Sequence, residues 1–174
     1  MNEMLDEVIG SASSVWVLGA SLEGRFVRYA SMVQQWTEVD TPERLQRKSE
    51  LVEEGGFGSS WEGVRQLTGE SVPVGDLGSD AVVLLDGAGD RVGWESVAGW
   101  LTELVGVSGV RVVLDLPVAA QARTMGLSRA ALKASGWVLE AEVHFAEREP
   151  LIVAGGVEIA SGMPSLRVIR LRSC

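Results

Sequence analysis

A chain of 174 residues, 46% hydrophobic and 22% charged, has the makeup of a soluble domain with one sizeable core, which excludes the disordered and fibrous classes. Its net charge of −9 argues against a partner held through phosphate backbones, and Arg167, Arg170 and Arg172 are too local to reverse that. A single cysteine (Cys174) and a single histidine (His144) give no internal disulfide and no ligand set for zinc or an iron–sulfur cluster. Apolar runs such as Ala81 to Leu85 are too short for a bilayer, and Glu3, Asp6 and Glu7 do not fit a signal or basic transit peptide. No nucleic acid, no membrane and a cytoplasmic location are therefore expected.

Met4, Leu5, Val8 and Ile9 have helical spacing and predict a short leading helix that ends at Gly10. Val15 to Leu18 reads as a buried strand, followed by a turn through Gly19 and Gly24. Ser21 would then cap a helix with Leu22, Phe26, Tyr29, Val33 and Trp36 as one apolar stripe. Thr37 to Val39 fits a short strand. Thr41-Pro42-Glu43 opens a further helix, with Leu45 and Val52 inward, an acidic solvated end at Glu50 to Glu54, and a stop at Gly55-Gly56. Trp61, Val64 and Leu67 are spaced as one more helical piece.

The second half has a clearer pattern. Ala81 to Leu85, ending in Asp86, has the continuous apolar character of a central parallel strand. Trp94, Val97, Ala98, Leu101, Leu104 and Val105 form a helix face, with Trp100 less clearly in phase and a candidate exposed anchor for a partner. Val110 to Leu116 is a second buried strand, stopped by Pro117. Ser128 caps a helix that carries Leu132. Trp137 to Phe145, Leu151 to Ala154 and Leu166 to Leu171 then read as closing strands. The order predicts one α/β domain, a Rossmann-like three-layer α/β/α sandwich whose mainly parallel sheet ends antiparallel.

In such folds ligands sit at the carboxyl ends of the strands. The turn Gly19-Ala20-Ser21-Leu22-Glu23-Gly24 is there, as a site for S-adenosylmethionine or a dinucleotide, or as no more than a tight strand-to-helix turn. It lacks Gly-x-Gly-x-x-Gly, which disfavours a dinucleotide-dependent oxidoreductase, and Leu22 and Glu23 crowd the approach to any ligand. Glu38 or Asp40 would accept from a ribose, or be solvated loop acids. Asp86 and Asp115 are either a proton-handling pair or plain strand-end acids. His144 falls in a late strand as a surface or packing residue, with no catalytic role. No serine, cysteine or lysine lies in a nucleophile motif.

Ser79 to Leu85, Gly109 to Asp115 and Leu132-Lys133-Ala134-Ser135-Gly136-Trp137 resemble the fourth-strand motif, the fifth-strand motif and the lead into the sixth strand of class I S-adenosylmethionine-dependent methyltransferases. Leu114-Asp115-Leu116-Pro117-Val118, the Ala130 to Val138 passage and Glu147-Arg148-Glu149-Pro150-Leu151 are similar to the amino-terminal domain of the anamorsin family. That resemblance implies a non-catalytic, methyltransferase-like interaction domain of a cytosolic iron–sulfur assembly factor. Its partners would be a diflavin reductase, which supplies electrons, and other cluster-assembly proteins, with a minor pool in the mitochondrial intermembrane space. It also implies that this chain is the amino-terminal part of a longer protein, with no cofactor or metal of its own and the clusters in a cysteine-rich region elsewhere. The alternative is a small active methyltransferase, with Gly19, Ala20 and Gly24 at the cofactor, Glu38 or Asp40 on its ribose and Asp86 near the reacting group.

Overall fold

The computed structural model describes residues 2–19, 24–85, 93–116, 127–144 and 167–173. Its elements in order are α1 (Asn2–Ile9), β1 (Ser14–Leu18), α2 (Arg25–Tyr29) running into a 3-10 turn (Ala30–Met32), β2 (Gln35–Asp40), α3 (Pro42–Glu54), α4 (Gly58–Trp61), β3 (Val64–Thr68), a 3-10 turn (Val74–Asp76), β4 (Val82–Leu85), α5 (Trp94–Leu104), β5 (Arg111–Leu116), α6 (Arg129–Ala134), β6 (Trp137–His144) and β7 (Arg167–Ser173). The strands form one seven-stranded sheet in the order β3-β2-β1-β4-β5-β7-β6. Strands β1 to β5 are parallel, and β7 enters antiparallel between β5 and β6. This is the mainly parallel sheet with an antiparallel end that the alternation of strand and helix patterns predicts.

Two apolar layers follow from the period-2 alternation of the strands. Val15, Val17, Trp36, Val82, Leu84 and Val113 meet Leu5, Val8 and Ile9 of α1, Phe26 and Tyr29 of α2, Val52 of α3 and Trp61 of α4. Trp16, Leu18, Val39, Val83, Leu85, Val112 and Leu114 face the other way, onto Val97, Trp100, Leu101 and Leu104 of α5 and Leu132 of α6. Both faces of the inner strands are thus covered, which is why they read as unbroken apolar runs. Gly109, at φ +78, closes the turn into β5 so tightly against Ser79 that a Cβ there would collide with the Ser79 carbonyl oxygen.

Several local expectations change. The helix after β1 spans only Arg25–Tyr29, and Trp36 belongs to β2 instead of extending its stripe. Phe26, Tyr29 and Trp36 still reach one layer, because a helix face and a strand face meet there. The stretch read as a helix through Trp61, Val64 and Leu67 divides into α4 and the edge strand β3. The expected cap at Thr41 takes the right backbone position for α3 but makes no side-chain hydrogen bond, whereas Ser128 accepts from Ala131 N–H as a cap should. Trp100 is 9% exposed and packs in the core, so it is no exposed anchor. The expected strand at Leu151 to Ala154 lies outside the described residues.

Candidate functional site

The carboxyl ends of β1, β2 and β3 frame a cleft of about 510 Å³, within the usual range for small-molecule sites. Leu18 and Gly19 enter it from β1, Val39, Asp40 and Thr41 from β2, and Gly69 and Glu70 from just beyond β3. Its far wall is α5, through Ser96, Gly99, Trp100 and Glu103, whose spacing places them on one helix face. Ser96 and Gly99 add little bulk to that wall, and nothing stands within 4 Å of where a Gly99 Cβ would project. Between β3 and β4, residues 69–81 hold only a 3-10 turn, so no full helix closes this side.

Backbone bonds set the rim. Gly19 N–H donates to Val39 O at 2.9 Å, and Gly69 N–H donates to Asp40 O at 3.1 Å, tying the three strand ends together. Gly19 has φ +62, a conformation that favours glycine. Gly24 is different: at φ −83 it precedes α2 in an ordinary conformation, and a Cβ would only touch Val27. Ala20, Ser21, Leu22 and Glu23 lie outside the described residues.

The two acids of β2 separate in role. Glu38 is 1% exposed and turned away from the cleft, accepting from Lys48 Nζ and, at 3.3 Å, from Trp36 Nε1. Burial pushes its carboxyl above the usual 4.5, against the opposing pull of the Lys48 ammonium and these hydrogen bonds. Lys48 itself sits 5.4 Å from the Phe26 ring centre and 5.5 Å from that of Trp61. The ribose role considered for Glu38, and its alternative as a solvated acid, are both set aside by this enclosure.

Asp40 lines the cleft and is 5% exposed, so it too is not a solvated loop acid. Its Oδ1 accepts from Thr41 N–H at 2.8 Å. Arg44 Nε, from the first turn of α3, lies 3.1 Å from Oδ2 as an ion pair but out of line for a hydrogen bond, so Oδ2 is a buried acceptor with almost no accessible surface, charge compensation and no donor. Among the described residues, Asp40, Glu70 and Glu103 are the acids that line the cleft, and none of the described lining residues is cationic.

Asp86 lies outside the described residues. Asp115 pairs with Val168 in the β5–β7 ladder, and His144 pairs with Arg167 at the far edge of the sheet, away from the cleft. Glu70, Ser96 and Glu103 escaped the sequence reading. Glu70 was hidden because β3 reads as a helix, and the other two lie on the polar side of a helix read only for its apolar face.

No family model matches the sequence, and no curated protein matches it. Solved structures do. Precorrin 8w decarboxylase from Methanobacterium thermoautotrophicum aligns at 14% identity and TM-score 0.61 over 96% of this chain and 86% of its own. Precorrin-6y C5,15-methyltransferase from Geobacter metallireducens aligns at 12% and 0.60 over 94% and 81%. A candidate tRNA methyltransferase from Streptococcus pneumoniae, in complex with S-adenosyl-L-methionine, aligns at 14% and 0.62 over 98% and 71%. The fold is that of the class I methyltransferases. The expectation of a non-enzymatic domain is corrected here, because proteins named as methyltransferases share this architecture over nearly the whole chain. No helix among the described residues is long and apolar enough to cross a membrane.

Proposed function

We propose that this chain is a small S-adenosylmethionine-dependent methyltransferase whose cofactor lies in the cleft at the ends of β1, β2 and β3. The observation that supports it most is Asp40, a strand-end carboxylate with a buried oxygen that lacks a hydrogen-bond donor. S-adenosylmethionine supplies an electrophilic methyl group on a sulfonium centre. On the protein side, Asp40 Oδ2 accepts from a ribose hydroxyl, and Gly19 keeps the β1 rim free of a side chain. Glu70 is an acceptor for an exocyclic amine one strand over, while Val39 and Trp100 offer apolar surface to a base. The acids of the cleft favour a cationic cofactor over the phosphates of a dinucleotide. Methyl transfer runs largely on proximity and orientation, so it requires no nucleophile from the chain.

Isothermal titration of the purified protein with S-adenosylmethionine and S-adenosylhomocysteine tests this reading. Saturable binding in the micromolar range is expected, with no saturable uptake of NADH or NADPH. Absence of S-adenosylmethionine binding up to about 1 mM, or a preference for a dinucleotide, contradicts it.

A further inference from the structure

The sheet has two outer strands, β3 and β6. β6 is interrupted by a register shift between Leu139 and Ala141, the kind of irregularity by which sheets discourage further pairing. β3 has no such break: Val64 to Thr68 run in continuous parallel register with Trp36 to Asp40, with no proline and no lysine among them. Gly69 N–H donates to Asp40 O, so by the alternation of a parallel strand Leu67 and Arg65 also turn their backbone groups to β2. Val64, Gln66 and Thr68 turn theirs outward. Val64 is 7% exposed and closes the lower end, while Gln66 and Thr68 are exposed. Among the described residues, no strand and no backbone hydrogen bond meets the outer side of β3.

We propose that the outer edge of β3 is a docking site for an extended segment of another protein that carries lysine or arginine. A strand laid antiparallel along it forms two backbone hydrogen bonds with Gln66 and two with Thr68. Charge selects the occupant. Glu62 precedes the strand and Glu70 follows it, both exposed, and Arg65, the strand's own cation, is paired with Asp76 at 3.5 Å. Basic side chains at the two ends of the incoming segment therefore meet opposite charge. A second copy of this chain does not: two β3 strands paired about Gln66 bring Glu62 of each toward Glu70 of the other, on molecules that each carry a net charge of −9. None of this depends on what the cleft binds.

The full chain is titrated against a capped fluorescent peptide of about seven residues, valine and threonine alternating between terminal lysines, and followed by fluorescence anisotropy. A Kd of roughly 10–500 μM is expected, weakening at least about threefold between low salt and about 0.2 M salt. Gln66→Pro removes an outward N–H without touching the bonds to β2, and should bind at least about 10-fold more weakly with a Tm within about 3 °C of wild type. The same loss should follow when the peptide's own donors are N-methylated, which decides the matter if Gln66→Pro does not fold. With glutamate in place of the terminal lysines, the peptide should also bind at least about 10-fold more weakly. No binding up to about 2 mM, undiminished binding by Gln66→Pro or by the N-methylated peptide, or equal binding of the glutamate-ended peptide overturns the proposal. So does a concentration-dependent dimer in sedimentation that Gln66→Pro dissolves, because the edge then belongs to a second copy.

Discussion

Replacing Asp40 by Asn isolates the oxygen on which the cofactor reading depends. Thr41 N–H needs an acceptor, so the amide oxygen stays where Oδ1 is and the NH2 takes the place of Oδ2 beside Arg44. The backbone bond survives, while the acceptor offered to a ligand becomes a donor. At 5% exposure Asp40 has little water to soften that change. A hydrogen bond to a charged group contributes about 1.5–3 kcal/mol, which converts to roughly 10- to 150-fold weaker S-adenosylmethionine binding. The fold should hardly notice. The ion pair lost has a partner 42% exposed, so it is worth at most about 1 kcal/mol. For 174 residues that is a fall in Tm of roughly 3 °C or less. Calorimetric titration beside a thermal melt makes the comparison. A folded Asp40→Asn that binds within about threefold of wild type refutes the role given to Oδ2.

Gly109→Ala should be costly far from the cleft: a positive φ and a collision with Ser79 O together imply roughly 2–5 kcal/mol, read as a Tm fall of about 5–13 °C. A Tm within about 2 °C of wild type would show that the turn relaxes without cost. The raised carboxyl of Glu38 makes stability depend on pH with a definite sign. The native state takes up this proton at higher pH than the unfolded chain, so the contribution is complete below 4.5 and lost as pH rises through the raised native value. Relative to Glu38→Gln/Lys48→Met, the wild type should therefore gain Tm as pH falls toward 4.5. A difference that stays flat across that range rules out burial as the dominant influence on this acid.

The layout of the sheet was largely legible because inner strands covered on both faces have no alternative to continuous apolar sequence. Val82 to Leu85 and Val112 to Leu114 are of this kind. The edge was not. β3 exposes Arg65, Gln66 and Thr68, so its apolar residues Val64 and Leu67 fall three apart and mimic a helix. Trp36 misled in the same way, since a strand residue beneath a short helix can continue that helix's spacing by coincidence. Asp40 was identified as a candidate from its place at a strand end. What its sequence position did not disclose was that both acids of β2 are buried, Glu38 against Lys48 of α3 and Asp40 at the rim of the cleft, and that depends on which face of β2 α3 covers.

The short connection across residues 69–81 has a practical consequence. The wall beside Glu70 is a loop with one 3-10 turn instead of a packed helix, so a ligand's edge on that side meets solvent sooner than it meets a helical layer. On the cofactor reading, analogues carrying a linker at that edge should pass out of the cleft without disturbing the core. On the same reading, that opening should give a handle for immobilising the protein on a ligand resin, and a place that tolerates larger analogues.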